Sequence, residues 1–204
     1  SYDGIFPNTG EYCDSKINAN RWAEMRDRLG LQIKPWKHTG EYILITCQRD
    51  NGWSMDGMAV INWLHLVLQN IKRFTDRPIM VRFHPGDKHH HKHMMQLRAI
   101  GHKVRYSSPS VSLLKDLHDA WCVISYNSSP GVVSAVEGVP VFVLDPARSQ
   151  ASEVANTDLR NIENPNREFD REQWLRRLAM SHWRLDELRN GDCWRHMREW
   201  SWAT

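Results

Sequence analysis

The chain has 204 residues, 41% hydrophobic and 25% charged, and its 27 Lys and Arg exceed its 24 Asp and Glu by 3. With only 11 glycines and 9 prolines it is neither collagen-like nor disordered, and its length suits one sizeable core with small appendages. No apolar run approaches the ~18 residues of a membrane-spanning helix, no block of about five like charges makes a nucleic-acid clamp, and the first residues lack the charged-then-apolar layout of a secretory leader.

Residues 1–40 show no clean period. Gly4, Pro7, Gly10, Gly30, Pro35 and Gly40 punctuate them, and one helix is expected over 19–29. They read as an N-terminal extension, and residues 41–204 as the folded domain. Residues 42–47, Tyr-Ile-Leu-Ile-Thr-Cys, form a short apolar and β-branched run, as in a strand buried on both faces. A polar, Gly-containing loop follows (48–54). Apolar residues at helical spacing then run from 56 to 74, with Met58, Ile61, Trp63, Leu64, Val67, Leu68 and Ile71 on one stripe. Residues 78–83 read as the second strand, 89–100 as a helix that Gly101 ends, and 102–106 as the third strand. A short helix over 110–118 can be capped by Ser110 or Ser112. Residues 121–125 are the fourth strand. Ser129 and Pro130 suit the cap and first turn of a helix running to Glu137, and Gly138 suits its end. Residues 140–144 are the fifth strand, and from about 169 two or three closing helices are expected.

Cys13, Cys47, Cys122 and Cys193 form no CxxC pair, and two of them lie inside apolar runs as buried thiols. A disulfide framework or a zinc ribbon is therefore not expected, and a reducing cytoplasm is the expected setting.

Strands of about five residues alternating with helices indicate an α/β fold. With right-handed crossovers this is a single Rossmann-like, doubly wound parallel sheet of order 3-2-1-4-5, followed by a C-terminal helical tail. Its ligand crevice lies beyond the carboxyl ends of the strands, where the winding reverses between the first and fourth. The loops there are 48–53 and 126–131, and the exit of the second strand, 82–87, opens on the same side. The Asn127-Ser128-Ser129-Pro130-Gly131 loop offers hydroxyls and N–H groups at a helix start, which suits a phosphate or an ordinary cap. Arg82 and His84, two apart on a strand end, point to one side as a fixed cation and a titratable donor. Trp53 after Gly52 suits stacking on a base or sugar, or core packing. Arg49, Asp50 and Asp56 around it suit solvated loop charges or a cap.

The run from His89 to His93 places two imidazoles at i, i+4, but a solvated first helical turn accounts for it better than a metal site. Of the ten tryptophans, Trp174, Trp183, Trp194, Trp200 and Trp202 crowd the last helices among seven arginines. Such a surface can meet a nucleic acid or glycan; covering the sheet or an oligomer interface is the favoured reading.

The His-Pro pair after one strand and the Ser-rich motif after a later one resemble the nucleotide-sugar-binding domain of GT-B glycosyltransferases, of the capsular-polysaccharide Kdo transferase and bacterial sialyltransferase type. The resemblance covers roughly residues 41–147, with Gly131 and Gly138-Val139-Pro140-Val141 as the matching frame. It implies that His84 and Ser128 or Ser129 bind the donor phosphate; Arg82, Asn127 and Gly131, beside them at the same strand exits, are candidates for the same role. Gln48, Arg49, Trp53 and Glu137 are candidates for the base or sugar. Many such domains carry a ribose-binding Glu two residues after the motif's Gly; here that position is Val133, and Glu137 lies one turn on.

The resemblance further implies a metal-independent transferase with a nucleotide-sugar substrate, no cofactor and a glycan acceptor. An acceptor base is required, with Glu11, Asp14, Asp50, Asp56 and Asp87 as open candidates. Because a GT-B enzyme uses two Rossmann-like halves, either residues 1–40 and a partner subunit, which a homo-oligomer could supply, complete the cleft, or the chain does not catalyse transfer. A phage-type DNA-base glycosyltransferase and a non-catalytic nucleotide- or protein-binding module are the alternatives.

Overall fold

The computed structural model describes residues 19–50 and 52–201. They group into two compact units, Lys34–Phe169 and the described parts of Ser1–Ile33 with Asp170–Thr204.

Five strands build the first unit: β1 (Tyr42–Thr46), β2 (Ile79–Arg82), β3 (Arg105–Tyr106), β4 (Ala120–Ser125) and β5 (Val141–Val143). Every pairing is parallel and the order is β3-β2-β1-β4-β5, the doubly wound arrangement expected. The crossover helices are α2 (Val60–Ile71), α3 (His90–Ala99), α4 (Leu113–His118) and α5 (Pro130–Val136), with α1 (Ala19–Leu29) preceding the sheet. β1 and β4 are buried throughout, because a central parallel strand has helices or loops on both faces. Side chains alternate accordingly: Ile43, Ile45 and Cys47 join one core with Trp63, Leu64 and Leu68 of α2, and Tyr42 and Leu44 join another with Leu117, Val123 and Val139. Burial raises the pKa of the Cys47 and Cys122 thiols, so both act as small apolar groups.

The β1–β4 pairing carries one irregularity, where Tyr42 pairs with Ala120 but Ile43 pairs with Cys122. Trp121 is the extra residue of this bulge. Its indole N–H donates to the Ile162 carbonyl (2.7 Å), and its ring lies 4.1 Å from the Arg77 guanidinium. Gly40 passes so close that a Cβ there would overlap the Trp121 backbone. Lys34 and Lys37 donate backbone N–H groups to Val136 and Gly138, so residues 34–40 pack with the sheet unit.

The helix starts show where local signals yielded to others. α2 begins at Val60, not 56, because Asp56 (φ +52°) and Gly57 (φ +75°) turn left-handed after the 3-10 turn Trp53–Met55. Ser112, not Ser110, caps α4 by accepting from Lys115 N–H. The third strand shortens to two residues, as the His102 ring is drawn to His65 (2.8 Å).

The second unit sets α1 beside α6 (Arg171–Met180), with α7 (Leu185–Arg189) and α8 (Asp192–Ser201) completing it. Arg21 organises it: its guanidinium pairs with Glu187 (2.7 Å), donates to the Ala179 carbonyl (2.8 Å) and lies over the Trp183 ring at 3.9 Å. Trp22 and Trp174 are buried in this unit, and the Trp22 indole donates to Glu172. Among the described residues no helix is long and apolar enough to cross a membrane.

Candidate functional site

The topology places the exits of β1, β2 and β4 side by side at the carboxyl end of the sheet, with β1 in the middle. Adjacent parallel strands are about 4.8 Å apart, so described side chains of the segment after β1, such as Gln48, Arg49 and Ser54, can reach the flanking exits.

On the β4 side the loops are stitched together. The Gln48 amide donates to Asn127 Oδ1, and Ser54 Oγ donates to Gln48 Oε1 (2.9 Å). Asn127 Nδ2 donates to the Ser54 carbonyl (3.0 Å) and to Asp145 Oδ2 (2.8 Å). An Asn amide has two N–H donors and one carbonyl, and all are engaged here. Gln48 and Asn127 therefore set the spacing of the crevice and leave little for a ligand.

The start of α5 differs from the expectation for a similar reason. Ser129 is its N-cap but makes no side-chain cap bond. The Gly131 and Val132 N–H groups bond back to the Ser128 and Ser129 carbonyls at 3.0 and 2.9 Å. Pro130 has no N–H, so the first turn closes on itself and offers an anion few backbone donors. What remains is hydroxyl: Ser129 is exposed, and the buried Ser125 and Ser128 Oγ atoms have no partner among the described residues. Glu137 does not reach this end. It follows α5 at the far side of the sheet and pairs with Lys34 (2.5 Å).

The β2 side holds Arg82, Arg49 and His84, and it reverses the roles read for the two arginines. Arg82 is not a free cation: its guanidinium pairs with Asp116 (2.6 Å) and donates to the Val111 carbonyl (2.9 Å), with both charged side chains nearly buried. Arg49, read as a base or sugar contact, crosses from the β1 exit to the His84-Pro85-Gly86 turn. A Cβ on Gly86 would lie 2.7 Å from Arg49 Nη2 and 3.2 Å from His84 Nδ1, so only glycine leaves the guanidinium this place. Arg49 is exposed and has no carboxylate partner among the described residues. His84 Nδ1 accepts the Gly86 N–H (2.9 Å), which puts the neutral ring's proton on Nε2 and makes that atom the outward donor. Beside His84, and lined by Arg82 as well, opens a cavity of about 260 Å³ between the β2 exit, α3 and the β3 exit. Phe83 and Tyr106, stacked with centroids 6.1 Å apart, stand in its wall with Met94, His90 and Ser107.

The turn is held from beneath by a group that spacing did not reveal. His93 is not solvated; it is buried between Asp87 (Nδ1 to Oδ2, 3.1 Å) and Asp50 (Nε2 to Oδ2, 3.7 Å). Asp87 also accepts from His89 N–H, and Asp50 accepts from Val60 N–H at the start of α2 (both 2.8 Å). Both carboxylates therefore act in holding the loops of β1 and β2 together. Of the other acids read as acceptor bases, Asp56 pairs with Arg148 (2.7 Å), and Glu11 and Asp14 lie outside the described residues. Trp53 opens a 3-10 turn, and its side chain lies outside what the structure describes.

No protein-family model matches the chain, and no curated protein matches it. Among solved structures it is similar to KpsC of Thermosulfurimonas dismutans, a beta Kdo 2,4 transferase. The two are 13% identical with a TM-score of 0.43, over 83% of this chain and 55% of that one. The chain thus spans about half the length of that protein.

In the helical unit the tryptophans read as a nucleic-acid or glycan surface divide. Trp174 is buried, Trp183 lies under Arg21, and Trp194 is exposed. Arg184 and Arg195 are paired with Asp186 and Asp192. The side chains of Trp200 and Trp202 lie outside the described residues.

Proposed function

We propose that the sheet unit binds the phosphate of a nucleotide-sugar donor, and that the chain is the donor-binding half of a GT-B-type glycosyltransferase with a glycan acceptor. The observation that carries this reading is an exposed guanidinium, Arg49, which has no carboxylate partner among the described residues and stands at the same Gly86 turn as His84, an imidazole whose Nε2 is left as a donor. They meet at the carboxyl end of a doubly wound sheet, where such folds bind nucleotides.

In the transfer, an acceptor hydroxyl oxygen bonds to the anomeric carbon as the bond from that carbon to the donor phosphate oxygen breaks. The hydroxyl proton passes to a base, and the electron pair stays on the departing phosphate. Arg49 and His84 Nε2–H stabilise that growing charge in preorganised positions, which is worth most where water is excluded. No resident metal is needed for this neutralisation, and no cofactor is part of the reading. The cavity of about 260 Å³ is below the ~300 Å³ at which sites for whole ligands begin. It suits one flat part of the donor, its base or sugar, against Phe83 and Tyr106.

The test is thermal-shift titration with UDP, CMP, GDP and their sugars. A bound donor at 100 times its Kd stabilises by ~2.7 kcal/mol, so the melting temperature of the wild type should rise by several degrees. Arg49→Gln and His84→Ala should each lose most of that rise while melting as the free wild type does. If no nucleotide shifts the wild type, the reading is wrong.

A further inference from the structure

A third arginine stands at the carboxyl end of the sheet, and nothing in the sequence singles it out. Arg148 closes the 3-10 turn Pro146–Arg148 that follows β5. Its three nitrogens are divided between two carboxylates of different kinds. Nε donates to Asp145 Oδ2 (2.5 Å), whose side chain is 14% exposed and also receives Asn127 Nδ2. Nη1 and Nη2 donate to the two oxygens of Asp56 at 2.8 and 2.7 Å, and the Asp56 side chain is 69% exposed. Asp145 thus fixes the plane of the guanidinium through its inner nitrogen and ties it to the Gln48–Asn127 stitch. Asp56 occupies only the outer fork.

A guanidinium fork takes two oxygens of a phosphate in the same parallel geometry as two oxygens of a carboxylate. We infer that Arg148 is an oxyanion receptor whose fork is closed by Asp56 in the free protein, and that the donor's phosphate opens it by replacing the Asp56 carboxylate. Three features support exchange, and the first and third place it at Asp56 and not at Asp145. The Asp56 side of the pair is in solvent, with the Arg148 side chain 22% exposed, and exposed ion pairs are worth little and trade partners readily. A phosphate brings more charge to the fork than a carboxylate. Asp56 is the only non-glycine with positive φ among the described residues, a conformation that the loop can relax once the carboxylate is released. The guanidinium is charged with or without Asp56, since arginine does not lose its proton in proteins; in the closed state the hydrogen bond to Asp56, ahead of that to Asp145, raises its pKa further. The receptor stands on this geometry alone; naming its anion as the donor's phosphate rests on the function proposed above.

The probe is inorganic pyrophosphate, titrated calorimetrically at low salt into the wild type, Asp56→Asn, Arg148→Lys and the double variant. Asparagine tolerates the left-handed backbone at position 56, and lysine keeps a charge beside Asp145 without the fork. Removing the competing carboxylate should tighten pyrophosphate binding about two- to five-fold, the factor an exposed ion pair represents. Arg148→Lys should abolish that gain in the double variant. The receptor is refuted if Asp56→Asn binds no tighter than the wild type, or if the gain survives Arg148→Lys. UDP, CMP and GDP separate the two proposals. If they bind the wild type through Arg49 and His84 while Asp56→Asn gains nothing, the donor reading stands and the receptor falls. If pyrophosphate shows the gain and no nucleotide binds any variant, the receptor stands and the donor reading falls.

Discussion

Replacing Arg82 with methionine distinguishes a structural arginine from a phosphate ligand at the position where the sequence favoured the ligand. The Arg82 and Asp116 side chains are 13% and 6% exposed, and their oxygen–nitrogen distance is 2.6 Å. Arg82→Met leaves the Asp116 carboxylate nearly buried, with the Ser107 hydroxyl (2.6 Å) as its one remaining side-chain donor among the described residues. Breaking one side of such a pair costs about 3–5 kcal/mol, because the surviving charge is uncompensated. The Ser107 bond and the small residual exposure place this site near ~3 kcal/mol. At roughly 3 °C per kcal/mol, the melting temperature should drop by about 10 °C. Arg82→Met/Asp116→Leu, which removes both charges, should recover most of the loss. The assay is thermal unfolding followed by circular dichroism, with nucleotide titrations below the transition, where Arg82→Met should still bind although Arg82 stands in the cavity wall. A variant that melts like the wild type but no longer binds nucleotide would show that Arg82 is a ligand, and the structural account would be wrong.

Gly86→Ala puts a methyl 2.7 Å from Arg49 Nη2, the free end of a flexible side chain; unfolding should change by less than about 1 kcal/mol, while nucleotide affinity in titration should fall as the guanidinium swings away. Gly40→Ala meets the Trp121 backbone, which cannot yield, so chemical denaturation should show a loss of about 3 kcal/mol or more. The hydrogen bond from Arg21 holds the Glu187 carboxyl down at about 2 from the usual 4.5. A depressed carboxyl pKa stabilises fully above the unfolded value and progressively less as pH falls through the folded one. The melting-temperature gap between wild type and Glu187→Gln, read by tryptophan fluorescence, should therefore be widest above pH ~5 and close as pH falls from about 4.5 toward 2; a gap independent of pH would contradict the pairing.

The sheet was legible because its signals are local. A five-residue apolar, β-branched run such as 42–46 is too short for a helix of usual length and favours a doubly covered strand, and alternation with helices leaves few topologies once crossovers are right-handed. Turn chemistry was legible for the same reason at Gly101 and Gly138, where φ is +85° and +76°. The loops that form the site could also be located, because the switch in winding follows from strand order.

Which side chains face a ligand could not be read from spacing, because each depends on partners distant in the chain. Arg82 and Arg49 are equally suited to a phosphate as residue types. Asp116 neutralises the first from the next crossover, and Gly86 gives the second a place beside His84. His93 looked like one member of a solvated run until Asp50 and Asp87 closed on it, and Asn127 looked like a ligand until its amide was fully engaged. Sequence by itself determined the strands, their order and the end of the sheet where chemistry belongs, since hydrophobic period and chirality act over short stretches. Only the tertiary structure decided which charges remain free there, since a charge is available to a ligand only when no distant partner has already neutralised it.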